Sequence, residues 1–144
     1  DGAAMVVCTT GERAKADGLD VMGIVRGYSY VGVDPKEMGI GPVPAIRKLM
    51  ETTGMSTDDV DYFEINEAFS AQYLGCEKEL GLDRDKCNVN GGAISLGHPL
   101  GATGTRLVLT LLYQLRRAGK KYGVASACIG GGQGIAMLIE NPSA

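Results

Sequence analysis

Residues 91–118, GGAISLGHPLGATGTRLVLTLLYQLRRA, join a glycine-rich turn (Gly91–Gly104) to an apolar helix (Thr103–Ala118), and reading the two together decides the fold. In the helix, Leu107, Val108, Leu109, Leu111, Leu112, Tyr113 and Leu115 cover nearly the whole circumference, with only Thr110 and Gln114 between Arg106 and Arg116. A helix that is apolar all round is buried all round. One sheet of a 144-residue domain covers one side of it, so the sequence predicts a further layer or a tight partner on the other. The turn holds His98, the only histidine, among five glycines and Pro99. An imidazole is the side chain that changes charge nearest to working pH, which makes His98 a candidate acid or base. Taken alone, it is equally readable as a loop histidine with no role.

Composition bounds the rest. At 144 residues, 44% hydrophobic and 22% charged, the chain reads as one soluble domain spanning 1–144, large enough for a real core. A net charge of −3 without any Lys/Arg run longer than a pair gives no footprint for nucleic acid or anionic membrane, leaving a small molecule or a protein as partner. Cys8, Cys76, Cys87 and Cys128 lack C-x-x-C spacing and are too scattered for a disulfide framework; they read as free thiols in a reducing compartment, and no metal site is predicted. No apolar run reaches 18 residues, and the opening DGAAMVV lacks the basic residues of a signal peptide, resembling instead the interior of a longer chain.

Outward from the central stretch, Lys121–Ala127 and Gly134–Glu140 read as strands joined by CIGGGQ, a connection short enough to make them antiparallel neighbours. Upstream, Val60–Ile65 is a strand delivering Asn66 to a helix that runs to Leu80, where Phe69, Tyr73, Cys76 and Leu80 share a face and Gly81 ends it. Pro44 opens a helix closed by Gly54, after a loop from Asp34 to Pro42. Val21–Val33 is a strand bent at Gly23 and Gly27, Glu12–Asp17 a short helix, and Ala3–Thr9 a strand covered on both faces. The order β-α-β-α-β-α-loop-α-β-β predicts an α/β domain: a mixed, mostly parallel five-stranded sheet with helices on both faces and one antiparallel strand at the end.

In an open α/β sheet, ligands bind beyond the carboxyl ends of the strands, and three segments fall there. Asn66 follows one strand, Cys128 ends another, and His98 sits in the loop before the long helix. Each has a plain alternative: Asn66 as a helix N-cap with Glu67 favourable at the dipole, Cys128 as a small buried apolar residue. Cys8 in its strand and Cys76 on an apolar helix face read as buried apolar residues, and Cys87 as incidental in a polar loop. The run Gly130–Gly132 weakens that alternative for Cys128, because consecutive glycines let backbone N–H groups turn toward an oxyanion.

NEAF (Asn66–Phe69), GGAISLGHPLGATG and CIGGGQG (Cys128–Gly134), with His98 lying 32 residues after Asn66 and 30 before Cys128, together resemble the three C-terminal signatures of the thiolase family. GPVPAI at Gly41 and the opening DGAA match too, so the resemblance covers the whole chain. It implies a thiolase-like three-layer domain, the second of two similar halves whose central helices pack together, which accounts for the apolar helix. It implies acyl or acetyl transfer to or from coenzyme A, by Claisen condensation or thiolysis of 3-ketoacyl-CoA, with coenzyme A thioesters as substrates and no further cofactor. The acyl-accepting cysteine belongs to the first half, so this chain alone is expected to be inactive. By motif, His98 would deprotonate that cysteine and later help to hold the enolate oxygen. Asn66 would hold a water as the other donor, Cys128 would exchange a proton with the acetyl carbon, and the Gly130 N–H would stabilise the tetrahedral intermediate. Glu67 would orient water or His98, or cap its helix. The partners implied are the N-terminal half, the acyl-CoA or acetyl-CoA substrate, and further copies in a dimer or tetramer; the location implied is cytoplasmic, or the mitochondrial matrix or peroxisome in a eukaryote. The alternative reading is a non-catalytic module pairing through helix 103–118; a ketosynthase of the same fold is weaker, since those enzymes surround their histidines differently.

Overall fold

Helix limits follow local chemistry. In the computed structural model, which describes Asp1 to Ala144, α1 is Gly11–Ala16, α2 Pro42–Thr53, α3 Ser70–Leu80, α4 Ala93–Leu96 and α5 Thr103–Ala118. α2, α3 and α5 end at Gly54, Gly81 and Gly119, each in the left-handed region that a Cβ disfavours. α2 begins with Pro42 in its first turn, two residues before the predicted Pro44, because an N-terminal proline forfeits no helical hydrogen bond. The predicted loop from Asp34 to Pro42 contains a 3-10 turn, Pro35–Ile40, opened by Asp34 accepting from Lys36 N at 2.9 Å.

The sheet corrects the expectation of five mostly parallel strands. It has four: β1 Ile24–Gly32, β2 Tyr62–Ile65, β3 Tyr122–Ile129 and β4 Gln133–Glu140, in the order β1-β4-β3-β2. Only β2 and β3 are parallel; β4 runs antiparallel to both β1 and β3. The physical reason is the hairpin. Folding β4 back along β3 puts it in the middle of the sheet, so β1 can only join on its far side, with the predicted irregularity between Val25 and Gly27. Ala3–Thr9 pairs with nothing: Met5 and Val7 are 90% and 92% exposed, and Cys8 is exposed rather than buried.

Strand alternation separates two cores. Phe63, Ile65, Val124, Ala136 and Leu138 face α2, meeting Ala45, Ile46 and Leu49; Ala125 and Ile139 face α5, meeting Leu107, Leu111, Leu112 and Leu115. Helices therefore cover both faces, as expected. α5 itself is buried through Leu107, Leu111 and Leu115, with Val108 and Leu109 part-buried, and Tyr113, 58% exposed, is its one exposed large apolar side chain.

β2 carries two polar residues into this interior. Glu64 is buried and pairs with Arg106 of α5 at 3.1 Å. Desolvation pushes its carboxyl up to about 7, opposed only in part by the Arg106 charge. On the free edge of β2, Asn88 stands in for a strand. Its Oδ1 accepts from Ile65 N at 2.9 Å and its Nδ2 donates to Ile65 O at 2.9 Å. Its backbone, at φ 46°, is in the left-handed region that asparagine tolerates better than most residues. Cys87 beside it is buried and bridges to Phe63, so it is part of the core and not incidental.

Two outcomes follow for β2. Asn88→Ala leaves both polar groups of Ile65 without partners and should lower unfolding stability by about 2–4 kcal/mol in urea titration. Asn88→Gly, which eases the backbone but also lacks the amide, should lose a similar amount; wild-type stability in the glycine variant would show that the amide is unimportant. Glu64 has its folded pKa raised from 4.5 to about 7, so its contribution is fully present below pH 4.5 and is lost as pH rises through 7. Relative to Glu64→Gln, the wild type should lose on the order of 2–3 kcal/mol between pH 4.5 and 8; parallel stability profiles would refute this.

Candidate active site

The parallel pair sets the floor of the site. Asn66 N donates to Ser126 O at 2.9 Å, which carries β2 pairing one residue beyond Ile65 and places Asn66 at the carboxyl ends of β2 and β3. α3 begins only at Ser70, with Phe69 at its cap and Gln72 Oε1 accepting from Phe69 N at 3.4 Å. Asn66 is thus no helix cap, and that alternative falls. Phe69, expected on the buried face of α3, is 63% exposed, whereas Cys76 is buried.

Freed from capping, the Asn66 side chain is 1% exposed. Its Nδ2 lies 3.3 Å from His98 Nε2, and its Oδ1 is buried without a hydrogen-bond partner. A buried acceptor left unpaired costs about 1–3 kcal/mol, so such an atom marks a place for a ligand donor or a water. His98 is half-buried, with Nδ1 2.6 Å from Thr103 Oγ1 at the start of α5.

Glu67 holds the turn in which His98 sits. Its carboxylate accepts from Asn88 Nδ2 at 2.8 Å and from Ile94 N, in the first turn of α4, at 3.0 Å. A Cβ on Gly92 would collide with this carboxylate. Glu67 therefore bonds to the segment preceding His98 and not to the imidazole.

Cys128 lies two residues past Ser126 and pairs with Gly134 across the hairpin. It is half-buried, and burial pushes its thiol above the ordinary value, a backbone hydrogen bond opposing. The thiol form is thereby favoured, and its thiolate, when formed, is a strong base. The three turn glycines divide by cause. Gly131 and Gly132 have φ of 90° and 93°, and a Cβ on Gly132 would lie 2.9 Å from Pro35 N. Gly130 has neither constraint: its surroundings are open and its backbone is exposed. Packing accounts for Gly132, while neither packing nor backbone conformation calls for glycine at 130.

The structure joins Asn66 and His98 directly and brings Cys128 to the same strand ends. A groove of about 810 Å³ runs along the outside of the His98 turn, lined by Gly2, Leu96, His98, Leu100 and Arg106, without Asn66 or Cys128 in its walls. No group of three or more His, Cys, Asp or Glu could hold a metal ion. Sequence reasoning missed Asn88, Gly92 and Thr103. Asn88 sits in NVNGG, where only the left-handed tolerance of asparagine hints at it, and Thr103 is indistinguishable from an ordinary helix start.

Residues 19–141 match the family model described as thiolase, C-terminal domain. The chain is 51% identical to an acetyl-CoA acetyltransferase of Chromobacterium violaceum over 99% of its own length and 36% of the relative's. It is 52% identical to the mitochondrial 3-ketoacyl-CoA thiolase of Bos taurus, over 98% and 36% respectively. Among solved structures, the Bacillus anthracis acetyl-CoA acetyltransferase superposes with a TM-score of 0.90 at 55% identity, over 92% of this chain and 34% of that one. Human mitochondrial 3-ketoacyl-CoA thiolase in complex with CoA gives 0.89 at 51% identity, over 91% and 33%. The chain spans about a third of the length of the relatives it matches. With a family model covering the sheet, both helical layers and all three polar turns, the chain belongs to the thiolase family, as its C-terminal domain.

Proposed function

We propose that residues 1–144 form the C-terminal half of an enzyme that transfers acetyl or acyl groups to and from coenzyme A, completed by an N-terminal half that supplies the nucleophilic cysteine. The observation that carries this reading is the contact of Asn66 with His98 at the carboxyl end of β2, beside the Cys128–Gly130 turn.

In the condensing direction, His98 takes and keeps the proton of the partner half's cysteine, whose thiolate attacks the acyl donor, and coenzyme A leaves as its thiol with the proton that Cys128 gives up. The Cys128 thiolate then removes a proton from the α-carbon of acetyl-CoA. As the electron pair moves onto the thioester oxygen, that oxygen is held by the N–H that His98 now carries and by a water seated on the unpaired Asn66 Oδ1. The carbanion attacks the acylated cysteine. The Gly130 N–H stabilises the resulting oxyanion, and the tetrahedral intermediate collapses to release the cysteine and the 3-ketoacyl product. Thiolysis runs the same steps backward, Cys128 returning its proton to carbon. Each aimed donor is worth about 3–4 kcal/mol in the transition state. In this reading Glu67 and Asn88 shape the turn that presents His98.

Two uncovered surfaces support a missing half: the unpaired Ala3–Thr9 segment with its exposed Met5 and Val7, and the Tyr113 side of α5. Among the relatives, those of Bos taurus and Petunia hybrida carry mitochondrial and peroxisomal in their names, and no helix of this chain is long and apolar enough to cross a membrane. The competing reading, a binding module that pairs through α5 without catalysis, makes a different outcome when the halves are combined.

Residues 1–144 alone should not cleave acetoacetyl-CoA, and the chain joined to a thiolase N-terminal half should. His98→Ala and Cys128→Ala should each lower kcat of the joined enzyme by about 10²–10⁴-fold. Full activity of the isolated chain would place the nucleophile here and overturn the proposal; association of the halves without activity would favour the binding module.

A further inference from the structure

His98 Nε2 must do two opposite things in the reaction proposed above: accept a proton from a thiol, then donate that hydrogen to an enolate oxygen. Only the neutral tautomer with its hydrogen on Nδ1 starts with a lone pair on Nε2. The geometry points to Thr103 as the residue that fixes this tautomer, a positioning residue for His98 placed by the first turn of α5.

Three contacts run in one direction. Thr103 Oγ1 lies 3.0 Å from Pro99 O, which also accepts from Ala102 N and Thr103 N, and in the proposed arrangement the hydroxyl hydrogen points there. In that arrangement Oγ1 meets His98 Nδ1, at 2.6 Å, with a lone pair, and the hydrogen of the contact is on Nδ1. At the other side of the ring, Asn66 Nδ2 is 3.3 Å from Nε2, an amide donor placed to pair with a nitrogen that accepts. Asn66, His98, Thr103 and Pro99 O then form one donor-to-acceptor chain, ending on the carbonyl, in which Nε2 keeps its lone pair. Thr103 is 3% exposed, so no bulk water competes for its oxygen. It takes part in no chemistry, and its hydroxyl meets the imidazole and a backbone carbonyl.

The proposal rests on His98 as the base, and the experiment separates the two. In the 144-residue chain, His98 is the only histidine, so ring-nitrogen NMR of the 15N-labelled chain, at a pH where the ring is neutral, reports its tautomer without ambiguity and without needing activity. The wild type and Thr103→Ser should show hydrogen on Nδ1 and a lone pair on Nε2, and Thr103→Val should show a mixture or the reverse. In the enzyme joined to its N-terminal half, Thr103→Val should lower kcat about 10–100-fold while KM stays within about twofold, and Thr103→Ser should recover most of the loss. A wild-type ring carrying its hydrogen on Nε2, with the Asn66 amide turned to accept it, overturns the proposal. So does a valine variant with an unchanged tautomer or unchanged kcat, or a serine variant that recovers nothing. If the joined wild-type enzyme is inactive, the reading of function fails, and the nitrogen spectra still decide whether Thr103 sets the tautomer.

Discussion

The hydrogen bond from Asn66 N to Ser126 O is the point on which the site depends. β2 is only four residues long and has one strand neighbour, β3. A strand that short, paired on one side, is weakly held unless its other edge is also satisfied. Asn88 supplies that edge through both polar groups of Ile65, and Cys87 through its bridge to Phe63. With β2 fixed from both sides, the next two residues have defined positions: Asn66 reaches His98, and Glu67 reaches the start of α4. The segment that begins with Asn88 thus serves twice, first as an artificial strand and then, after Gly92, as the support of the histidine turn.

The polar groups of this region are partnered at close range, yet not completely. Glu64 and Arg106 tie β2 to α5 beneath the site, and Arg106 Nη2 stays buried without a partner. Asn66 Oδ1 is in the same condition. Buried ion pairs rarely add stability, because desolvation offsets their attraction, and the raised pKa of Glu64 is that cost made visible. What the Glu64–Arg106 pair does secure is the position of the first turns of α5, which carry Thr103 against His98. Stability is conceded where the geometry of the imidazole is gained.

Much of this was legible in the sequence, and the omissions have physical reasons. Glycine stops, the two hairpin strands and the helix over Thr103–Ala118 could be read because each is a local rule about one element. The polar turns at Asn66, His98 and Cys128 could be read because residue types with few structural uses recur there at strand ends. Strand order could not be read: nothing local to Ala3–Thr9 says whether a partner strand exists, and an apolar run looks the same paired or bare. Asn88 and Thr103 were invisible for a related reason. Their importance lies in side-chain contacts, to Ile65 and Glu67 in one case and to His98 in the other, that exist only once the 91–102 turn has folded over β2.

In the proposed two-half enzyme, the unpaired Asn66 Oδ1 and the groove beside His98 bear on what the other half would add. Asn66 Oδ1 is closed to bulk solvent, so a donor reaching it must be enclosed with it. The groove beside His98 opens instead along Leu100 and the N-terminal residues, away from Asn66 and Cys128. A neutral amide is suited to that enclosure: a carboxylate at position 66 would repel the developing enolate and, beside Glu67 and Glu64, would itself tend to take up a proton. An amide carries no charge to neutralise and can hold a water on Oδ1 in a fixed orientation. In the proposed enzyme that enclosure is the part left to the N-terminal half, for which the exposed Gly130 turn and Tyr113 of α5 are the available surfaces.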